Sequence, residues 1–145
     1  MVDAQGRERF RFLEPTDDAA IRNRILGRIC FQHGSVVMRA AAARAVGGYD
    51  ERAECRHLED FHVWLRLGTV GKLANLPIHG LRSAVSGTQI SAVNRVEQLA
   101  NFLAVAHEFR SEYPGHLRAA VRNRLRLVVY GHLRLDWLMR LTAGR

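Results

Sequence analysis

The chain has 145 residues, 48% of them hydrophobic, and a formal net charge of +8. That is the length of one ordinary domain, and the apolar content suffices for a buried core, which excludes a disordered tail. Two cysteines, Cys30 and Cys55, stand outside any CxxC pattern; they exclude a disulfide framework and make a reducing cytosol the expected compartment.

The run from Met1 to Glu8 is polar and lacks the apolar core of a signal peptide. No apolar run approaches the ~20 residues of a membrane-spanning helix. The charge is unevenly placed. Residues 114–145 hold seven arginines against one acid, Asp136, and so carry +6 of the total. A basic helix of this kind faces anionic lipid, nucleic acid or an acidic partner, or only water on its arginine side, so the alternative to an enzyme is a non-catalytic module that binds anionic membrane or nucleic acid through residues 114–145. Nucleic acid is the disfavoured partner.

Asp3 to Gly6 reads as a hairpin-type turn, and Phe10 to Leu13 as a short strand. A helix then opens near Pro15, with Thr16 as its N-cap and Asp17 and Asp18 in the first turn, where the helix dipole favours acids. Ile21, Ile25 and Ile29 recur at helical spacing and carry it to about Arg28. Gln32-His33-Gly34 is a polar loop entering a buried strand at Ser35 to Met38. Ala40 to Val46 is alanine-rich and helical, and Gly47-Gly48 ends it.

From Leu58 the helical period returns, with Phe61, Trp64 and Leu65 on one face and Gly68 and Gly71 closing it. Lys72 to Ile78 and Leu81 to Val85 read as short strands, with Pro77 at an edge. Ser91 caps a helix over about 92–112 that points Val93, Val96, Leu99, Phe102, Leu103 and Ala106 inward. Tyr113-Pro114-Gly115 breaks it. A last helix runs from about His116 to Leu141, with Leu117, Val121, Leu125 and Val128 on one face. The expected organisation is residues 1–91 as one unit and 92–145 as a helical extension. Such scattered strands need neighbours for their edges, so a larger assembly is expected to complete the sheet.

Four segments in order carry a resemblance. They are Cys30 to Arg39, then Val46-Gly47-Gly48-Tyr49-Asp50-Glu51, then Glu59-Asp60-Phe61-His62-Val63-Trp64-Leu65-Arg66-Leu67, then Gly71 to Pro77. Together they resemble the acceptor half of a family 2 glycosyltransferase with the GT-A fold. The resemblance implies an α/β, helix-rich, incomplete GT-A-like half-domain with a few short strands and a C-terminal helical hairpin. It also implies transfer of a sugar from a nucleotide-sugar donor to an acceptor hydroxyl, with inversion. Asp60 would be the general base, with Glu59 beside it. A carboxylate at a helix start, against Phe61 and Trp64, is partly desolvated and holds its proton more tightly.

The same resemblance places Gln32, His33, Gly48, Tyr49, Asp50 and Trp64 on the acceptor side. Each also has a plain structural reading: a loop histidine held by backbone, a turn in which Asp50 bonds its own backbone, a core tryptophan. The chain departs from the family's pattern in two places. The D-x-D that holds a divalent metal under the donor diphosphate is absent, and Asp17-Asp18 is adjacent rather than spaced. The family's Tyr-Arg-x-His element aligns with Ser83, Ala84, Val85 and Ser86, leaving only Arg82 nearby. A full-length enzyme would use Mn or Mg, whereas this chain is expected to hold neither tightly and to show little transfer. Glu54, Cys55, His57, Glu59, Asp60 and His62 crowd one stretch, but their spacing matches no closed zinc pattern, so no metal ligand is assigned. The expected location is cytoplasmic, peripheral at the inner membrane face.

Overall fold

The computed structural model describes residues 1–3, 5–84 and 94–131. Among these, five α-helices form: α1 (Asp18–Ile25), α2 (Ala40–Ala45), α3 (Glu59–Val70), α4 (Arg95–Glu108) and α5 (His116–Gly131). Single 3-10 turns lie at His33–Ser35 and Ala53–Cys55.

The expected α/β half-domain is not what forms. Among the described residues there is no strand, only two isolated bridges, Val2 with Glu8 and Val2 with Ala84. The architecture is nearly all helical. The reason is that a strand is stable only with a paired neighbour, and these segments find none. Leu13 is half exposed and Val37 is 97% exposed, so Ser35 to Met38 is not a buried strand. Residues 72–78 are fastened by one backbone bond, from the Asn75 N–H to the Thr16 carbonyl at 3.2 Å, and by side chains. The Asn75 amide donates to the carbonyls of Pro15 and Cys30, and the Leu73 N–H donates to Asp18. The expected loop at Ser86 to Gln89, the Ser91 cap and the helix beyond Gly131 lie outside the described residues.

α3 is the central element. Leu58, Phe61, His62, Val63, Trp64 and Leu65 are all buried, so its first turns are enclosed on nearly every side. Phe61 stacks on Phe102 of α4 at 4.3 Å, His62 meets the edge of Phe109 at 5.5 Å, and Trp64 meets Phe31 at 5.3 Å. Burying a side chain such as Phe61 or Leu65 contributes about 1.5–3 kcal/mol. Ile21 and Ile25 bring α1 to the same core. Asp17, not Thr16, caps α1, accepting from the Ala20 N–H at 2.9 Å. Gly68 lies inside α3, which runs on to Val70.

α1 is tied to the end of α3 by Arg22. Its guanidinium pairs with Asp18 at 2.8 Å, donates to the Gly68 and Gly71 carbonyls, and lies over the Tyr113 ring. A cation at a helix C-terminus meets the negative end of the dipole. α4 and α5 pack together, with Arg95 over the ring of Tyr130. Gly115 takes φ of +81° between them, a conformation open to glycine.

Candidate functional site

Asp60 stands in the first turn of α3, which begins without a side-chain cap. Its Oδ1 accepts from the Phe61 N–H at 2.6 Å. Burial against the core raises its pKa above the ordinary aspartate value; the Phe61 N–H and the nearby His33 pull the other way. A proton-hungry carboxylate at the surface end of a buried helix is the electrostatic profile of a general base.

Beside it lies an aromatic shelf. The His33 ring is 6.0 Å from Tyr49, edge-on at 74°, and 6.1 Å from Trp64. Tyr49 is half exposed and Trp64 is buried, with no hydrogen-bond partner for its indole N–H among the described residues. The turn that presents Tyr49 follows from α2. Gly47 and Gly48 take φ of +79° and +69°, which reverses the chain. Arg66 of α3 then donates to the Gly48 carbonyl at 3.5 Å.

The remaining expected residues point to other tasks. The Glu59 carboxylate accepts from the His57 N–H at 3.0 Å and so anchors a non-glycine residue held at φ of +64°. Gln32 is exposed; its carbonyl accepts from both the N–H and the hydroxyl of Ser35. It also lines an open cleft of about 1030 Å³, together with Phe12, Phe31, Met38, Trp64 and Leu73. That cleft does not reach Asp60, Tyr49 or Asp50. Gln32 and Trp64 form its wall nearest the aromatic shelf, and the Asp60 carboxylate does not line it.

Asp50 belongs to a polar cluster that the sequence does not disclose. It accepts from the Arg52 N–H at 3.0 Å and from Arg52 Nε at 2.8 Å. The same guanidinium reaches His62 Nε2 at 3.2 Å and the Glu108 carboxylate at 3.1 Å. His62 is 1% exposed, and its Nδ1 faces Asp50 at 3.6 Å without a hydrogen bond. Arg52 and Glu108 carry no sequence signal that would pair them, since they lie on a loop and on α4.

Asp50, Cys55 and His62 are, among the described residues, one group whose donor atoms come within 4.8 Å of one another. The Arg52 guanidinium already lies among them and supplies the positive charge. Burial pushes the Cys55 thiol up, and the Arg52 guanidinium at 3.9 Å from its sulfur occupies the side a cation would need. The divalent metal implied by the resemblance finds no fit either. Glu59 is committed to His57, which leaves Asp60 without a second carboxylate facing the same point.

Comparison with known proteins returned no matching family model, no matching curated protein and no matching solved structure.

Proposed function

We propose that the chain provides the acceptor side of a glycosyl transfer, with Asp60 as general base. The observation that carries this reading is the pairing of a burial-raised carboxylate with the exposed His33–Tyr49 edge against Trp64. A pyranose presents apolar C–H faces to aromatic rings and hydroxyls to polar groups, which suits a shelf with one carboxylate beside it. Asp60 would take the acceptor hydroxyl proton as the oxygen bonds to the donor's anomeric carbon and the nucleoside diphosphate leaves. Tyr49 and His33 would orient the ring. Glu59 acts indirectly, by holding the His57 turn before α3. Gln32 is an acceptor contact only for a ligand long enough to enter the cleft, and Asp50 serves as support for the turn that bears Tyr49.

The test is a titration of the labelled chain with mono- and oligosaccharides, followed by amide shifts. Perturbations clustered at His33, Tyr49 and Asp60, weakened in Tyr49→Ala, support the reading. The absence of any shift across the panel overturns it. In a transfer assay with nucleotide-sugars and manganese, turnover that survives Asp60→Asn unchanged removes Asp60 as the base.

A further inference from the structure

The last described helix is turned so that its apolar stripe faces outward. Leu117, Val121, Leu125 and Val128 are 80%, 61%, 62% and 49% exposed. These positions share one face of α5, spanning an arc of roughly 80° at 100° per residue. The inward face is lined by Ala119 and Asn123 instead, and the Asn123 side-chain N–H2 finds no hydrogen-bond partner among the described residues. Alanine allows the close approach of α4, so packing is satisfied without the large apolar side chains. The arrangement is the reverse of a helix whose hydrophobic stripe feeds the core.

The borders of the stripe are basic. Arg124 flanks it on one side and Arg118 on the other, with Arg122 one step beyond, while Arg126 lies round toward Ala119. All four are exposed, and α5 contains no acid. Among the described residues no carboxylate pairs with any of them. The Arg122 guanidinium tucks in beside Gly27 and partial burial lowers its pKa, so Arg118 and Arg124 are the accessible charges at the stripe's edges.

We propose that this face of α5 docks on an anionic lipid bilayer, lying parallel to the surface with Leu117, Val121, Leu125 and Val128 in the headgroup–acyl boundary. Three features choose this occupant. A central apolar stripe between arginines matches an interface that is hydrocarbon below and phosphate beside it, and long arginine side chains reach sideways to that phosphate. A nucleic acid backbone would use the arginines but leave the stripe in water. A second copy of α5 would cover the stripe but bring arginine against arginine, with no acid to offset it. The proposal stands independently of the role given to Asp60.

The experiment is co-sedimentation of the full chain with vesicles of phosphatidylcholine alone or mixed with phosphatidylglycerol. Binding is expected only to the mixed vesicles, and it should weaken with added salt. Arg118→Gln with Arg124→Gln should lower the affinity about 30-fold, at about 1 kcal/mol per arginine near the surface. Leu117→Ser with Leu125→Ser should abolish binding while far-ultraviolet circular dichroism stays unchanged, since both side chains are mostly exposed. Equal binding to both vesicle types, or full binding by the leucine variant, overturns the proposal. So does displacement from vesicles by duplex DNA, or a soluble dimer that the leucine variant dissolves.

Discussion

The Tyr113 hydroxyl donates a hydrogen bond to the Leu65 carbonyl at 2.6 Å inside the core, directly against Gly68. Burial pushes the Tyr113 pKa up to about 12, so the phenol keeps its proton and donates at neutral pH. This contact locks the α4–α5 junction onto the middle of α3.

A Cβ at position 68 would overlap that hydroxyl and crowd Leu73. In an open helix Gly→Ala stabilises by about 1 kcal/mol. Here Gly68→Ala should destabilise by about 1–3 kcal/mol, because the core is overpacked. Tyr113→Phe alone should cost about 1 kcal/mol. The double variant should be more stable than the sum of the two, since the overlap with the hydroxyl is gone. Urea denaturation of the four proteins gives the coupling.

Arg52 joins the loop, His62 and α4 through Asp50 and Glu108. Arg52→Met should destabilise by about 1–3 kcal/mol by leaving Asp50 unpaired beside a buried histidine. Arg52→Lys should not rescue it, because one ammonium cannot reach all three partners in a planar fork. Thermal denaturation of both variants checks this.

The two kinds of aspartate make opposite contributions as pH changes. Burial raises the folded pKa of Asp60, so its ionisation opposes folding as pH rises above the ordinary aspartate value. Asp60→Asn should therefore be more stable than the natural chain at neutral pH, with the gap closing below about pH 3.8, the unfolded value. Hydrogen bonds from Arg22 and the Leu73 N–H lower the Asp18 pKa. Its stabilisation is present above the unfolded value and is lost as pH falls through the lowered one. Asp18→Asn should then be less stable at neutral pH, with that deficit vanishing in acid. Urea midpoints across pH separate the two signs.

Cys30 and Cys55 are both buried, and burial pushes the Cys30 thiol up to about 11. Neither should react with iodoacetamide at neutral pH in the folded chain, while both should react in urea. Rapid native labelling of either would show that the core around α1 or the 53–55 turn opens far more readily than its burial implies. Mass spectrometry of the labelled sites reads this directly.

Local information determined the helices of this protein. The isoleucine spacing, the alanine run before Gly47-Gly48 and the break at Tyr113-Pro114-Gly115 each appear in the structure within a few residues of where the sequence places them. So does the partly desolvated carboxylate at the start of α3, because an acid next to Phe61 in an apolar helix is carried toward the core with it. The helices depend on contacts three or four residues apart, while the depth of burial at Asp60 also needs the packing of Phe31, Phe102 and Phe109 around α3.

Tertiary structure decided the rest. Strands expected at Phe10 to Leu13, Ser35 to Met38 and Lys72 to Ile78 did not form, because pairing requires a neighbour that periodicity cannot supply. The burial of His62 and its partnership with Arg52 and Glu108 joins residues up to 56 positions apart. The outward stripe of α5 was equally hidden. Helical spacing shows that Leu117, Val121, Leu125 and Val128 share a face, but which face turns inward was settled by the close fit of Ala119 against the core.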